Sequence, residues 1–339
     1  MISVIIPFRN DFELINLVID HLLVGAKKKP LEVIVVNDGS IYPSNRFRPL
    51  ELTQEAVRVI NVPVSHGVGW CFDRGVEEAK GDVVILMGAD VFPPLTYDWY
   101  SRVEFLCWKM NTVWCFPSVG VEEGNDPTIP DGTIRYGAKL LVTVGVDDLP
   151  KSSKIRDAIP NYTSIFDGQW NRNNGGIDGT REIQCLMGAF YCTTKSFYQK
   201  IGGWDTRADN RFIGHRGWGT LEPYLSLKTW LSGGSVLLDD SFSVSHVFGR
   251  VNRSNRFTKG ARSGEVMWWN KLFMLETMVH DASMKKKIYD FINPTKNYNT
   301  AKGDIKRHKD NVTEVRERNE SLFVRDLAWF CNAFDVKIR

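Results

Sequence analysis

The chain opens on an unbroken apolar run. Ser3 to Ile6 is rich in β-branched residues and lacks the alternation of a half-exposed strand, which predicts a strand buried on both faces. Ile15, Val18, Ile19 and Leu22 then recur at helical spacing, with Asn10 or Asp11 placed to cap the helix and Gly25 to end it. A second buried strand over Glu32 to Val36 runs straight into Asn37-Asp38-Gly39-Ser40. Val57 to Val62 reads as a third strand, Trp70 to Lys80 as a helix and Val83 to Met87 as a fourth strand. Strands alternating with helices predict βαβ units and a mostly parallel sheet with helices on both faces.

The rhythm changes after about residue 95. Residues 120–180 are rich in Gly, Asp, Asn and Pro and predict long loops with short antiparallel strands. Regular structure returns from Glu182 to Thr193, a helix is expected over Glu222 to Leu231, and 265–290 is helical in pattern. The stretch 294–320 is polar and charged, and is expected to be mobile.

Composition narrows this picture modestly. With 339 residues, 43% of them hydrophobic, the chain can bury one large α/β core plus an appendage. A net charge of +3 does not mark a nucleic-acid binder. The six cysteines, at 71, 107, 115, 185, 192 and 331, form no Cys-x-x-Cys pair, which excludes a zinc ribbon and suits a reducing compartment. No apolar run is long enough to span a bilayer, and Met1-Ile2-Ser3-Val4 has no signal-peptide character. The expectation is a cytoplasmic protein of a bacterium or a phage-infected cell.

Ligands of an open α/β sheet bind beyond the carboxyl ends of its strands. Three such ends here are polar: Pro7-Phe8-Arg9-Asn10, Asn37-Asp38-Gly39-Ser40 and Gly88-Ala89-Asp90. Asp38 could accept hydrogen bonds from a base or ribose, and Asp90 could hold a divalent cation through oxygen. Each alone is also what a turn or a helix cap supplies; it is their joint placement that points to a site.

These segments, with Ala79-Lys80-Gly81-Asp82 leading into Leu86-Met87-Gly88-Ala89-Asp90-Val91, resemble the nucleotide-binding half of family-2-like glycosyltransferases. The resemblance implies a GT-A fold and nucleoside-holding roles for Pro7, Arg9 and Asp38. Of the family's Asp-x-Asp or Asp-x-His metal motif only Asp90 carries over, because Gly88 stands at the first position.

The second half is similar to polypeptide N-acetylgalactosaminyltransferases and to the galactosyltransferase C-terminal motif. Met187-Gly188-Ala189-Phe190 looks like the small-residue strand beside the donor sugar, which implicates Gly188 and Ala189. Gly202-Gly203-Trp204-Asp205 matches the family's Gly-Gly-aromatic-Asp turn, and Gly217-Trp218-Gly219-Thr220-Leu221-Glu222 its Trp-Gly-Gly-Glu segment, with the acid displaced by one residue. Ser245-His246-Val247-Phe248-Gly249-Arg250 looks like the family's His-x-Phe-Arg segment. That implies His246 as a metal ligand with Asp90, and Arg250 on the diphosphate.

The resemblance implies a metal-dependent glycosyltransferase using manganese or magnesium and a nucleotide-sugar donor, with a UDP-sugar expected. The acceptor hydroxyl could belong to a glycan, a protein side chain or a hydroxymethylated DNA base. Displacement with inversion needs a base, for which Glu222 leads and Asp205 follows; a retaining reaction needs none. Trp204 and Trp218 are expected to line the acceptor pocket. Arg250, Arg253, Arg256, Lys259 and Arg262 suit a lid that closes on the diphosphate, a solvated loop, or a phosphate-backbone patch together with Lys285-Lys286-Lys287 and the bases at 302–309. The competing reading is a non-catalytic nucleotide-sugar or glycan binder, favoured by Gly88 and Leu221. The expected organisation is a GT-A domain over 1–250, divided into a nucleotide half (1–125) and an acceptor and metal half (126–250), followed by a basic lid and helical C-terminal extension over 251–339.

Overall fold

The structure is a computed structural model that describes the chain apart from residues 42–45, 122–124, 127, 130–131, 150–158, 160, 173–178, 189, 207–213 and 248–263. The first half runs β1 (Ile2–Phe8), α1 (Phe12–Gly25), β2 (Leu31–Asp38), β3 (Val57–Val62), α2 (Val68–Glu78), β4 (Val83–Met87), β5 (Val91–Phe92), α3 (Trp99–Leu106), β6 (Thr112–Cys115) and β7 (Ser118–Val121). Next come β8 (Ile134–Arg135), β9 (Ala138–Gly145), β10 (Thr163–Trp170), β11 (Arg181–Glu182), β12 (Phe190–Thr194), α4 (Lys195–Ile201), α5 (Leu221–Leu231), β13 (Ser235–Leu238) and β14 (Val244–Val247). Five helices close the chain: α6 (Gly264–Met278), α7 (Ala282–Phe291), α8 (Lys296–Arg307), α9 (Lys309–Leu322) and α10 (Leu327–Ala333).

The central 8-stranded sheet has the order β11-β13-β6-β12-β4-β1-β2-β3. Strands β4, β1, β2 and β3 run parallel, as the βαβ pattern predicts, while β12 runs antiparallel to both β4 and β6. The period of two along the apolar runs divides them between the faces. Ile5, Ile34 and Val36 join one core with α2, α5 and α6, whereas Val4, Ile6, Val33 and Val35 join the other with α1 and α3. A 4-stranded sheet, β5-β14-β7-β8, stands beyond the carboxyl end of β4. The expected loop region between 120 and 180 contains one long antiparallel hairpin, β9 with β10.

The stretch 294–320 is a correction. It forms α8 and α9, with Tyr298, Ala301, Ile305, Val312 and Val315 buried against α6 and its neighbours. The Thr295 hydroxyl caps α8 by accepting from Tyr298 N at 3.2 Å. High surface charge conceals a narrow apolar stripe. Five of the six cysteines are buried and all are free thiols, as expected of small core residues. Among the described residues no helix is long and apolar enough to cross a membrane.

Candidate active site

Arg9, Asp38 and Asp90 stand at or just past the carboxyl ends of β1, β2 and β4, along one edge of the sheet. Asp38 organises the loop that enters α2. Its carboxylate accepts from Ser65 Oγ at 2.7 Å, His66 N at 2.6 Å and Gly67 N at 3.0 Å. Arg9 joins through the same serine, donating from Nη1 to Ser65 Oγ at 2.7 Å. Gly39 adopts φ +63°, and a Cβ there would sit 2.7 Å from Ser65 N, so the turn needs glycine. The His66 ring stacks on Trp70 at 4.2 Å between centroids, and burial lowers its pKa. Pro7 is the half-buried last-but-one residue of β1.

Asp90 and His246 are far apart in the chain and meet through the small sheet. β14 pairs antiparallel with β5, His246 opposite Val91, and Val247 N donates to the Asp90 carbonyl at 3.0 Å. Asp90 Oδ1 thereby comes within 3.4 Å of His246 Nε2. Two cis ligands of one octahedral ion stand about 3 Å apart, and a carboxylate with an imidazole is a donor set suited to manganese. The pair therefore fits one cation. Among the described residues no cluster of three or more His, Cys, Asp or Glu could hold a metal.

Glu222 occupies the first turn of α5 and is half-buried. Tyr191 on β12 donates to its Oε1 at 3.0 Å. Burial raises the carboxyl pKa, while Tyr191 and the charge of His246 act the other way. Gly188, whose carbonyl accepts from the Tyr191 hydroxyl, holds φ +101°, and a Cβ on it would press 3.1 Å from Ser118 Cβ. Ala189 and Arg250, with the rest of the expected basic lid, lie outside the described residues.

Two expected site residues turn inward. Trp204 is fully buried; its ring stacks on Phe72 at 5.1 Å and its indole N–H donates to Leu221 O at 3.0 Å. Asp205 is buried beside it, paired with Lys228 Nζ at 2.7 Å and with Arg318 of α9, and it accepts from the Tyr224 hydroxyl. A carboxylate so engaged has no face for an acceptor, so Trp204 and Asp205 belong to the core. His215 is also buried, its Nε2 2.6 Å from Gly219 O, and Arg216 stacks over Trp269 at 3.3 Å. Among the described aromatic residues of this passage, Trp218 is the one left exposed, at 40%.

Sequence reasoning missed Tyr191 and Asp73. Asp73 is buried on α2 and accepts from Tyr198 Oη at 2.5 Å, Trp204 N at 3.1 Å and Thr206 N at 3.0 Å, which fixes the 202–206 turn. Nothing in the amphipathic pattern of α2 announces it, since an acid on a helix reads as surface.

Residues 3–160 match the glycosyl transferase family 2 model. The chain superposes on the crystal structure of GalNAc-T7 with UDP, GalNAc and Mn2+ at a TM-score of 0.61, with 13% identity, over 99% of this chain and 56% of that one. The fold is that of a family-2-like, GT-A glycosyltransferase. It superposes also on residues 1–349 of S. aureus TarS in complex with UDP-GlcNAc, at a TM-score of 0.50 and 14% identity, over 98% of this chain and 88% of that one. A Sinorhizobium fredii protein, the uncharacterized y4gI, is 25% identical over 148 residues, which make up 43% of this chain and 15% of that much longer relative.

Proposed function

We propose that the enzyme moves a sugar from a UDP-sugar to an acceptor hydroxyl, with manganese or magnesium held by Asp90 and His246. The observation that carries this reading is the meeting of those two side chains, 3.4 Å apart, beyond the carboxyl end of β4. Both superposed crystal structures hold a uridine nucleotide, and that of GalNAc-T7 holds Mn2+ as well. Asp38, Arg9 and Pro7 hold the nucleoside, Gly188 and Ala189 let the sugar approach the backbone, Arg250 adds positive charge to the diphosphate, and Trp218 flanks the acceptor. The cation, when bound, neutralises the leaving diphosphate.

Glu222 is the group in place to accept the acceptor's proton. In an inverting displacement the acceptor oxygen bonds to the anomeric carbon, the bond from that carbon to the diphosphate oxygen breaks, UDP departs and the proton passes to Glu222. The raised carboxyl pKa brings the base nearer to working pH. The acceptor is a glycan, a protein side chain or a hydroxymethylated DNA base. Against the last, one base of the C-terminal helices is engaged within the protein, Lys285 with Glu276 at 3.0 Å. Acceptor binding that weakens steeply with added salt would favour DNA, and a flat response a neutral glycan or peptide.

The test is UDP release from a panel of UDP-sugars with manganese. Asp90→Ala and His246→Ala should each lower it by about a hundredfold or more, with circular dichroism unchanged. Full turnover by either variant, or by the wild type in excess chelator, would remove the metal from the reading.

A further inference from the structure

Tyr191 lies near the middle of the large sheet, opposite Leu86 of β4 and Cys115 of β6, with its ring buried. Its hydroxyl reaches two acceptors, the Gly188 carbonyl and Glu222 Oε1, the latter at 3.0 Å. A phenol carries one hydrogen, so it cannot donate fully to both at once. Burial pushes the phenol pKa well up, and Tyr191 remains a protonated donor at any working pH. The ring is held by strands on either side, which makes it a rigid mount.

Glu222 has no such mount of its own. It sits on the first turn of α5, where the N-cap Thr220 gives no side-chain cap and adopts φ +62°. A glutamate has three rotatable bonds, and holding it in one rotamer costs entropy that a partner must offset. Among the described residues Tyr191 is the one side chain that hydrogen-bonds its carboxylate. A base has to lie within hydrogen-bond reach of the proton it takes, and small misplacements reduce rates steeply.

We propose that Tyr191 is a positioning residue: its hydroxyl, shared between the Gly188 carbonyl and Glu222 Oε1, holds the Glu222 carboxylate at the sheet edge. The proposal rests on the reading of Glu222 as proton acceptor, and the experiment separates the two. The reaction to follow is hydrolysis, with water as acceptor, of whichever of UDP-glucose, UDP-galactose, UDP-GlcNAc and UDP-GalNAc is cleaved fastest with manganese. Tyr191→Phe keeps the ring and removes the tether. It should lower kcat by about 10- to 100-fold, the range expected for a hydrogen bond to a charged group. KM for the donor should stay within about twofold, and the Tyr191→Phe, Glu222→Gln double variant should be no slower than Glu222→Gln alone.

Wild-type kcat in Tyr191→Phe beside a slow Glu222→Gln would overturn the proposal and leave Glu222 as base. Losses that multiply in the double variant would overturn it too, because Tyr191 would then act independently. Wild-type rates in both single variants would overturn the Glu222 reading and the proposal with it. A measurement without turnover stands beside these. The carboxyl band of Glu222, isolated by infrared difference against Glu222→Gln, should shift in Tyr191→Phe, and an unmoved band would overturn the tether whatever the kinetics.

Discussion

Asp38 illustrates how a residue proposed to hold the nucleoside is built in before any nucleotide arrives. Its oxygens already accept a hydroxyl and two backbone N–H groups, so the carboxylate shapes the loop at 65–67 as well as one wall of the proposed nucleoside pocket. Replacing it strands those donors, and a buried donor without a partner costs about 1–3 kcal/mol. Asp38→Ala should therefore weaken UDP binding, read by calorimetry, and also lower the melting temperature. Unchanged affinity would move the nucleoside elsewhere. Ser65→Ala, which removes one partner and leaves the acid, should show a smaller version of both effects. Sequence pattern makes Asp38, Asp90 and His246 legible, because each follows or belongs to a strand and matches a family segment. It does not show that Asp205 is spent inside the core. An acid in a Gly-Gly-aromatic-Asp turn reads the same whether it faces a ligand or a buried lysine. Lys228 gives no warning either, since lysines are rarely fully buried and this one is.

At the scale of elements, the passage from 214 to 220 determines how the loop entering α2 meets α5. Gly67 bridges to Gly217, and Val68 N donates to Gly217 O at 3.1 Å, so the start of α2 and this passage are joined. His215 underlies the joint. Burial lowers its pKa from 6.5 to about 4, and the ring is neutral in the folded protein. A folded pKa below the unfolded one means that the unfolded chain takes up the proton first as pH falls. The stability that comes from the neutral ring is complete above pH 6.5 and is lost as pH falls from 6.5 towards about 4. The full effect is roughly 3 kcal/mol, since a tenfold change in a proton-binding constant is worth about 1.4 kcal/mol. Urea unfolding at pH 7 and pH 4.5 should show His215→Asn losing less stability between the two than the wild type loses. Parallel losses would mean that the ring is not buried in its neutral form. The α8 and α9 stripe is likewise an element-scale matter. Tyr298, Ala301 and Ile305, then Val312, Val315 and Asn319, recur three or four apart, which is the helical signal. Charge content, which dominates the composition of this stretch, carries no such periodicity and points the other way.

At the scale of the whole molecule, the sequence suggests one large α/β core followed by a helical extension after about residue 250. Trp269, Phe273, Ile288, Ile305, Val312 and Phe330 of that extension belong to the same apolar cluster as Ile5, Val84 and Leu86 of the central sheet. Arg318 on α9 reaches Asp205, and Arg325 donates to the carbonyls of Trp230 at 3.3 Å and Gly234 at 3.1 Å. The last helices therefore cover α5, which carries Glu222, and α6, which receives the 214–220 passage. Phe330 is fully buried and packs at 5.0 Å between ring centroids against Phe334. Truncating it to Ala should cost about 3–5 kcal/mol, the usual range for a buried aromatic. The loss should appear in a single unfolding transition, one that UDP with manganese shifts upward in the variant as in the wild type, because a ligand that binds only the folded state stabilises everything that folds with its site. Two transitions in Phe330→Ala, the earlier one indifferent to UDP, would mean that the C-terminal helices fold as a separate unit and do not buttress the active site.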